Sequence, residues 1–329
     1  MRMHSLIFSA YDLTSLRFAY SPLKEVVASV NVLRRPMDRA LHLPWFKEVR
    51  PLLAEIDLAL LGDLVISCPG YIPDFLTPAP ATPIPDLTTE LAMLRATPPS
   101  VVRDDLNLMV GPRRKSVAAL YADPVAELDR LASAIETYWQ VAFARHWPRM
   151  RNLLEGDLLY RVRRLADGGP ALLFADLHKN VRWAENTLHV EGRSDSQSRV
   201  LDGQGLLLIP SVFVWPKTFS RTLSPGQPTL TYPARGLATL WEKGFAPDPG
   251  ALAAVIGGAR ALILTELDSP LSTTELARRL PYSAGSISEH LSLLRAAGLV
   301  TAHRIGRSVL YARSAASESL LAGVRPALA

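Results

Sequence analysis

One cysteine, Cys68, is all that the 329 residues contain. That excludes a disulfide within one chain and any metal site built from several thiolates of one chain. No apolar stretch reaches the length of a membrane span, because even Ala251 to Leu267 is broken by two glycines and Arg260. The short run Leu6-Ile7-Phe8 is cut by Asp12 and Arg17 before a secretory core is built. A soluble, cytoplasmic chain is expected. Signatures of catalysis are missing too. There is no Gly-x-Ser-x-Gly elbow, and Gly111-Pro112-Arg113-Arg114-Lys115-Ser116 lacks the second glycine of a phosphate loop. Gly203-Gln204-Gly205 lacks the third glycine of a dinucleotide fingerprint. The adjacent Asp104 and Asp105 diverge on a helix and are expected to be solvated charge, not a facing acid–base pair. No enzyme activity and no cofactor are expected.

What is present divides unevenly. A length of 329 residues suggests about two domains, and 48% hydrophobic with 20% charged content suits a globular protein. All six tryptophans, Trp45, Trp139, Trp147, Trp183, Trp215 and Trp241, precede the turn-forming run Phe245 to Gly250, and no Trp or Phe follows Ala251. The expected domains are therefore 1–246 and 251–329. The fold class is α+β, with a mainly helical N-terminal domain carrying a small antiparallel sheet.

Ser21-Pro22 opens a helix with the apolar stripe Leu23, Val26, Val27, Val30 and Leu33. Asp123-Pro124 opens a longer one. Trp147-Pro148 opens another that stops near Gly168-Gly169, and the last two are expected to pack as an antiparallel pair. Six prolines between Cys68 and Asp86 make an extended crossing. Val181 to Val190 forms a hairpin around Glu185-Asn186, and Leu206–Ile209, Val212–Trp215 and Thr229–Tyr232 are expected strands. Tryptophans suit both cores and ligand pockets, and the core is the commoner place for any one of them.

The C-terminal part carries the clearest pattern. Ser272 caps a short helix whose third residue, Glu275, can reach back, with Leu276, Ala277 and Leu280 inward. Pro281 breaks it, and Ser283 is placed to accept a backbone N–H from a second helix. There Ile287, Leu291 and Leu294 face inward, leaving Gly285, Ser286, Ser288, Glu289, Ser292 and Arg295 outward. Small polar groups let a helix approach base edges in a major groove. The bland alternative is a solvated helix face. Two β-type runs then flank Gly306-Arg307, a hairpin signal with Arg304 and Arg307 at its tip and Arg313 nearby. From Pro281 to Arg313 four Arg stand against one carboxylate, Glu289, a balance that favours a polyanion.

Residues Ala259 to Ser314 resemble the winged helix of ArsR/SmtB-type bacterial regulators. The family pattern Ser-x-His-Leu-x-x-Leu-x-x-Ala-Gly-Leu-Val is matched by Ser288, His290, Leu291, Leu294, Ala297, Gly298, Leu299 and Val300. The wing pattern is met by Gly306, Arg307 and Tyr311. The whole chain is similar to long actinobacterial regulators that place a domain of uncharacterised role first, with stretches such as Pro73 to Pro78 and Tyr232 to Gly236. Glu289 stands where that family often has Arg or Gln, and a carboxylate there suits a cytosine amino group rather than phosphate. Pro281 stands where Gly is common.

The resemblance implies a sequence-specific DNA-binding transcriptional repressor, a homodimer on a two-fold stretch of double-stranded DNA. The expected contacts are Ser283, Gly285, Ser286, Ser288, Glu289, His290, Ser292, Arg295, His303, Arg304, Arg307 and Ser308. Metal-sensing relatives use thiolates on the first helix of the motif, or Asp and His after the wing, and neither set exists here. Asp176, His178, His189 and Glu191 have a similar spacing but lie upstream, around the expected hairpin, so no metal is expected. The N-terminal domain is left two roles, a sensor for a small-molecule effector or a dimerisation platform. The competing class is an enzyme or ligand-binding protein whose winged module makes only protein contacts.

Overall fold

The computed structural model describes residues 3–66, 71–109, 111–191, 198–221, 227–241, 249–305 and 308–322. Cys68, Phe245 to Asp248 of the expected turn-forming run Phe245 to Gly250, Gly306 and Arg307 lie outside them. The chain divides into two compact units, Met1–Trp241 and Glu242–Ala329.

The first unit begins with β1 (Met3–Ile7), α1 (Ala10–Thr14), β2 (Arg17–Phe18) and α2 (Pro22–Arg34). Next come α3 (Leu43–Val49), α4 (Ala59–Ile66), α5 (Leu87–Arg95), α6 (Pro99–Asn107), α7 (Lys115–Ala122), α8 (Pro124–Ala142) and α9 (Trp147–Phe174). Six strands follow: β3 (Val181–Ala184), β4 (Thr187–Glu191), β5 (Ser198–Val200), β6 (Leu207–Ser211), β7 (Phe219–Arg221) and β8 (Thr229–Pro233).

Local chemistry sets the helix starts. Ser21 accepts from Lys24 N and Asp123 from Ala126 N, each ahead of a proline whose missing N–H costs nothing in the first turn. The end expected at Gly168-Gly169 is a break inside α9, where Gly169 sits at φ 63° before Pro170 restarts the helix. The α+β class holds, but the sheet does not match its description. Among the described residues of this unit there are two mixed four-stranded sheets, ordered β3-β4-β1-β5 and β2-β6-β8-β7. In the first, β1 runs antiparallel to β4 and parallel to β5; in the second, β6 is parallel to both β2 and β8.

Two other expectations fail. Val212–Trp215 is a turn, because the Val212 and Phe213 amides donate to the buried Glu25 carboxylate at 2.8 and 3.1 Å instead of to a strand. And α8 packs chiefly on α5, α6 and α7, with the Trp139 and Trp147 rings 4.9 Å apart where it meets α9. The tryptophans are core: Trp45 is fully buried, Trp139, Trp147, Trp215 and Trp241 pack on the helical cluster, and Trp183 packs on the cluster under the sheets. Asp105 is buried and accepts from Phe75 N at 2.7 Å, so only Asp104 is solvated.

The second unit holds α10 (Pro249–Ile256), α11 (Gly258–Glu266), β9 (Leu271–Ser272), α12 (Thr273–Arg279), α13 (Ala284–Ala296), β10 (Val300–Ile305), β11 (Ser308–Arg313) and α14 (Ala315–Ala322). Its core joins Ile263, Leu264, Leu276, Ile287, Leu291 and Leu294. The strands form a three-stranded sheet, β10-β11-β9, in which β9 adds an edge to the expected hairpin.

Candidate nucleic-acid interface

Three local devices fix the helix pair. Ser272 and Glu275 form a reciprocal capping box, Ser272 N donating to the Glu275 carboxylate at 2.7 Å while Glu275 N donates to Ser272 Oγ. Ser283 caps α13 by accepting from Ser286 N at 3.2 Å. At the far end Gly298 takes φ 71°, and Leu299 N closes on Leu294 O at 2.8 Å, a Schellman stop that turns the chain into β10. Nothing lies within 4 Å of a Cβ at Gly298, so conformation rather than space demands glycine there.

With Ile287, Leu291 and Leu294 buried, the turn of 3.6 residues points Gly285, Glu289 and Ser292 directly away from the core, with Ser288 and Arg295 on one flank. Ser283, Gly285, Ser288, Glu289, Ser292 and Arg295 are exposed, and Ser286 is half-buried. His290 departs from this set. It is half-buried with its ring edge-on to Tyr282 at 6.3 Å, and its Nδ1 is buried, so it serves the packing of the turn instead of the outward face. Leu293, 49% exposed, joins the outward face and was not anticipated.

Ile305 pairs with Ser308 in the hairpin register. Arg304 and His303 are exposed on β10, with His303 Nε2 3.2 Å from Thr301 Oγ1. Of Ser308 only the backbone, in β11, is described. Arg313 is not available to a phosphate. Its guanidinium donates to Leu264 O at 2.6 Å and Thr265 O at 2.5 Å, neutralising carbonyls at the C-terminal end of α11. Arg278 and Arg279, exposed in the last turn of α12 beside the corner, were missed. A charge count begun at α12 instead of Pro281 would have found them: six Arg against Glu275 and Glu289 through Arg313. Arg279 is loosely held, its Nη1 3.8 Å from Glu266.

The upstream Asp/His set does not converge. Asp176 accepts from Arg161 and Tyr160 at 2.6 Å each, His178 donates to Pro216 O at 3.1 Å, and His189 shares a hydrogen bond with Ser5 at 3.0 Å. Among the described residues no group of three or more His, Cys, Asp or Glu side chains is placed to hold a metal ion. Among them, too, no helix is long and apolar enough to cross a membrane.

Residues 258–303 match a helix-turn-helix domain family, and residues 104–238 match a family of unknown function (DUF5937). Over 78 residues, 23% of this chain, the sequence is 36% identical to the HTH-type transcriptional regulator NmtR of Mycobacterium tuberculosis (strain ATCC 25618 / H37Rv). The match spans 65% of that relative's length. No solved structure matches the chain. The capped helix pair, the glycine stop and the hairpin agree with the similarity of residues 258–303 to helix-turn-helix domains, and residues 104–238 are similar to a family of unknown function.

Proposed function

We propose that this protein is a sequence-specific DNA-binding transcriptional repressor that acts in the cytoplasm as a homodimer on a two-fold operator. The observation that carries the reading is the outward face of α13: Gly285, Ser288, Glu289 and Ser292 present little bulk and several hydrogen-bonding groups, flanked by Arg278, Arg279, Arg295 and Arg304. The HTH-type transcriptional regulator to which 78 residues of this chain are similar supports it. Control by metal is not part of the proposal, since the residues with suitable spacing are engaged elsewhere. Nor is catalysis, because two buried carboxylates of the first unit are engaged in structure. Glu25 holds the turn after β6, and Asp157 accepts from Tyr232 at 2.8 Å and Arg235 N at 3.1 Å while Arg161 grips Asp176.

Two arginines separate binding from folding. Arg304→Ala is expected to weaken binding to every duplex and lower the salt slope by about one unit, with the melting temperature unchanged. Arg313→Ala should destabilise the second unit by about 1–2 kcal/mol and leave that slope alone. Fluorescence anisotropy across a salt series, with thermal melts, checks both; an unaltered slope in the Arg304 variant removes it from the interface. Ser288→Ala and Ser292→Ala should change the ranking of operator sequences, by about 1–3 kcal/mol at the affected base pair. An equal loss on random duplex would deny base reading to these hydroxyls.

A further inference from the structure

A cavity of about 100 Å³ lies in the first unit against one face of α2, formed by Lys24, Val27, Ala28 and Asn31 at helical spacing. Its other walls come from residues 71–77 and from the β7–β8 pair. The floor is buried, while Tyr71, Ile72, Phe219 and Ser220 at the rim are half-buried.

Charge inside this cavity does not balance. Lys24 is only 8% exposed, and its ammonium, which carries three donors, makes one hydrogen bond, to Thr77 O at 3.2 Å. The lining holds a second cation, Arg221, and one carboxylate, Asp74, and these two are paired with each other at 2.9 Å. Glu90, which is not part of the lining, accepts from the Ser21 hydroxyl at 2.5 Å and the Leu23 amide at 2.8 Å. Among the described residues no carboxylate reaches Lys24 within ion-pair distance, so a buried ammonium with two unused donors has only the longer-range pull of Glu90 and Asp74, and an anion in the cavity would pair with it directly. Burial and the facing Arg221 push the Lys24 pKa down to about 8, against the opposing pull of Glu90 and Asp74.

Size and lining narrow the occupant. An apolar cavity of about 150 Å³ admits benzene, so this one suits a short chain or a single small ring, with part of it at the open rim. Val27, Ile72, Val214 and Phe219 offer an apolar wall; a dianion would exceed the one lining cation that lacks an ion-pair partner. We propose that this cavity binds a small organic monocarboxylate, its carboxylate paired with Lys24 and its apolar body against Val27, Val214 and Phe219.

The test is titration of the full-length protein with acetate, butyrate and benzoate, each beside its neutral amide, read by calorimetry and by amide resonances. At least one carboxylate should bind with Kd below about 10 mM, at least about tenfold more tightly than its amide, and should shift the Val27 and Thr231 resonances. Lys24→Met keeps the stem, removes a buried charge and should fold; it is expected to lose that carboxylate by about tenfold or more. Carboxylates that bind no better than their amides, or shifts confined to residues outside the cavity, would overturn the proposal. So would undiminished binding to the Lys24 variant. The carboxylate–amide comparison uses unaltered protein, so it decides even if the variant misfolds, and it involves no DNA, so the regulator reading can fail without touching it.

Discussion

Replacing Gly285 by Trp is expected to abolish operator recognition while the second unit stays folded. A Cβ built at Gly285 meets only Ser283 Oγ, at 3.9 Å, so the indole would stand in open space. Helix propensity favours the change, since Trp is a better helix former than Gly by a few tenths of a kcal/mol. Thermal melts should therefore move by no more than about 4 °C, the consequence of a surface substitution worth about 0.5 kcal/mol in a unit of this size. Binding is another matter. Gly285 shares the outward row with Glu289 and Ser292, and an indole there occupies the room that base edges need. Loss of groove entry reduces specific binding to its electrostatic residue, a fall of at least about a thousandfold. Gly285→Ala, which changes propensity and adds one methyl, should retain most of the affinity. Competition binding with operator and random duplex measures both; an indole variant that binds operator normally would mean that α13 reads no bases.

Glu25→Ala should be the most damaging single change in the first unit. The carboxylate is buried and accepts from Val212 N, Phe213 N and Ser211 Oγ at 2.8, 3.1 and 3.1 Å. Removing it leaves three donors without their acceptor and opens a hole between α2 and the turn after β6. Orphaned donors cost about 1–3 kcal/mol each, offset by no longer burying a carboxylate, so a loss of about 3 kcal/mol is expected. In a unit of this size that lowers the melting temperature by about 6–12 °C.

Burial pushes the Glu25 pKa up to about 7, outweighing the three donors that favour the ionised form. Between the ordinary glutamate value and about 7 the folded chain then holds a proton that the unfolded chain has released. Glu25 thus contributes a fall in stability as pH rises through that window. Glu25→Gln removes this contribution, and the slope of melting temperature against pH between 5 and 7 should become more positive. An identical slope in wild type and variant would mean that Glu25 is ionised throughout.

What could be read from the sequence is what short-range chemistry decides. Ser21-Pro22, Asp123-Pro124, the Ser272–Glu275 box and the Ser283 cap each stand within three residues of the amide they serve, and all four were legible. What escaped depends on partners far along the chain. Val212–Trp215 is apolar enough for a strand, yet its amides turn to Glu25, whose carboxylate lies 187 residues from Val212. The parallel pairings of β1 with β5 and of β2 with β6 join the first eighteen residues to segments near residue 200, which no local pattern announces.

The candidate interface shows the same division. The exposed row of α13 follows from the spacing of Ile287, Leu291 and Leu294. Arg313 looked like a phosphate contact to a charge count, but folding brings it to the end of α11. His290 sits at the border between the two faces, where periodicity alone does not say that Tyr282 will cover it. Lys24 carries no signal in the sequence, since a lysine in a helix is ordinarily solvated, and only the β7–β8 pair and residues 71–77 closing over it make it buried.

The most direct test of the central claim is selection of full-length protein against a random duplex library at low ionic strength, repeated with the Gly285→Trp variant. The account predicts that the wild-type protein enriches a two-fold symmetric sequence, with half-sites about one helical turn apart, and that the variant enriches none while melting normally. Absence of any enriched sequence for the wild type, or the same sequence enriched by both proteins, would contradict it.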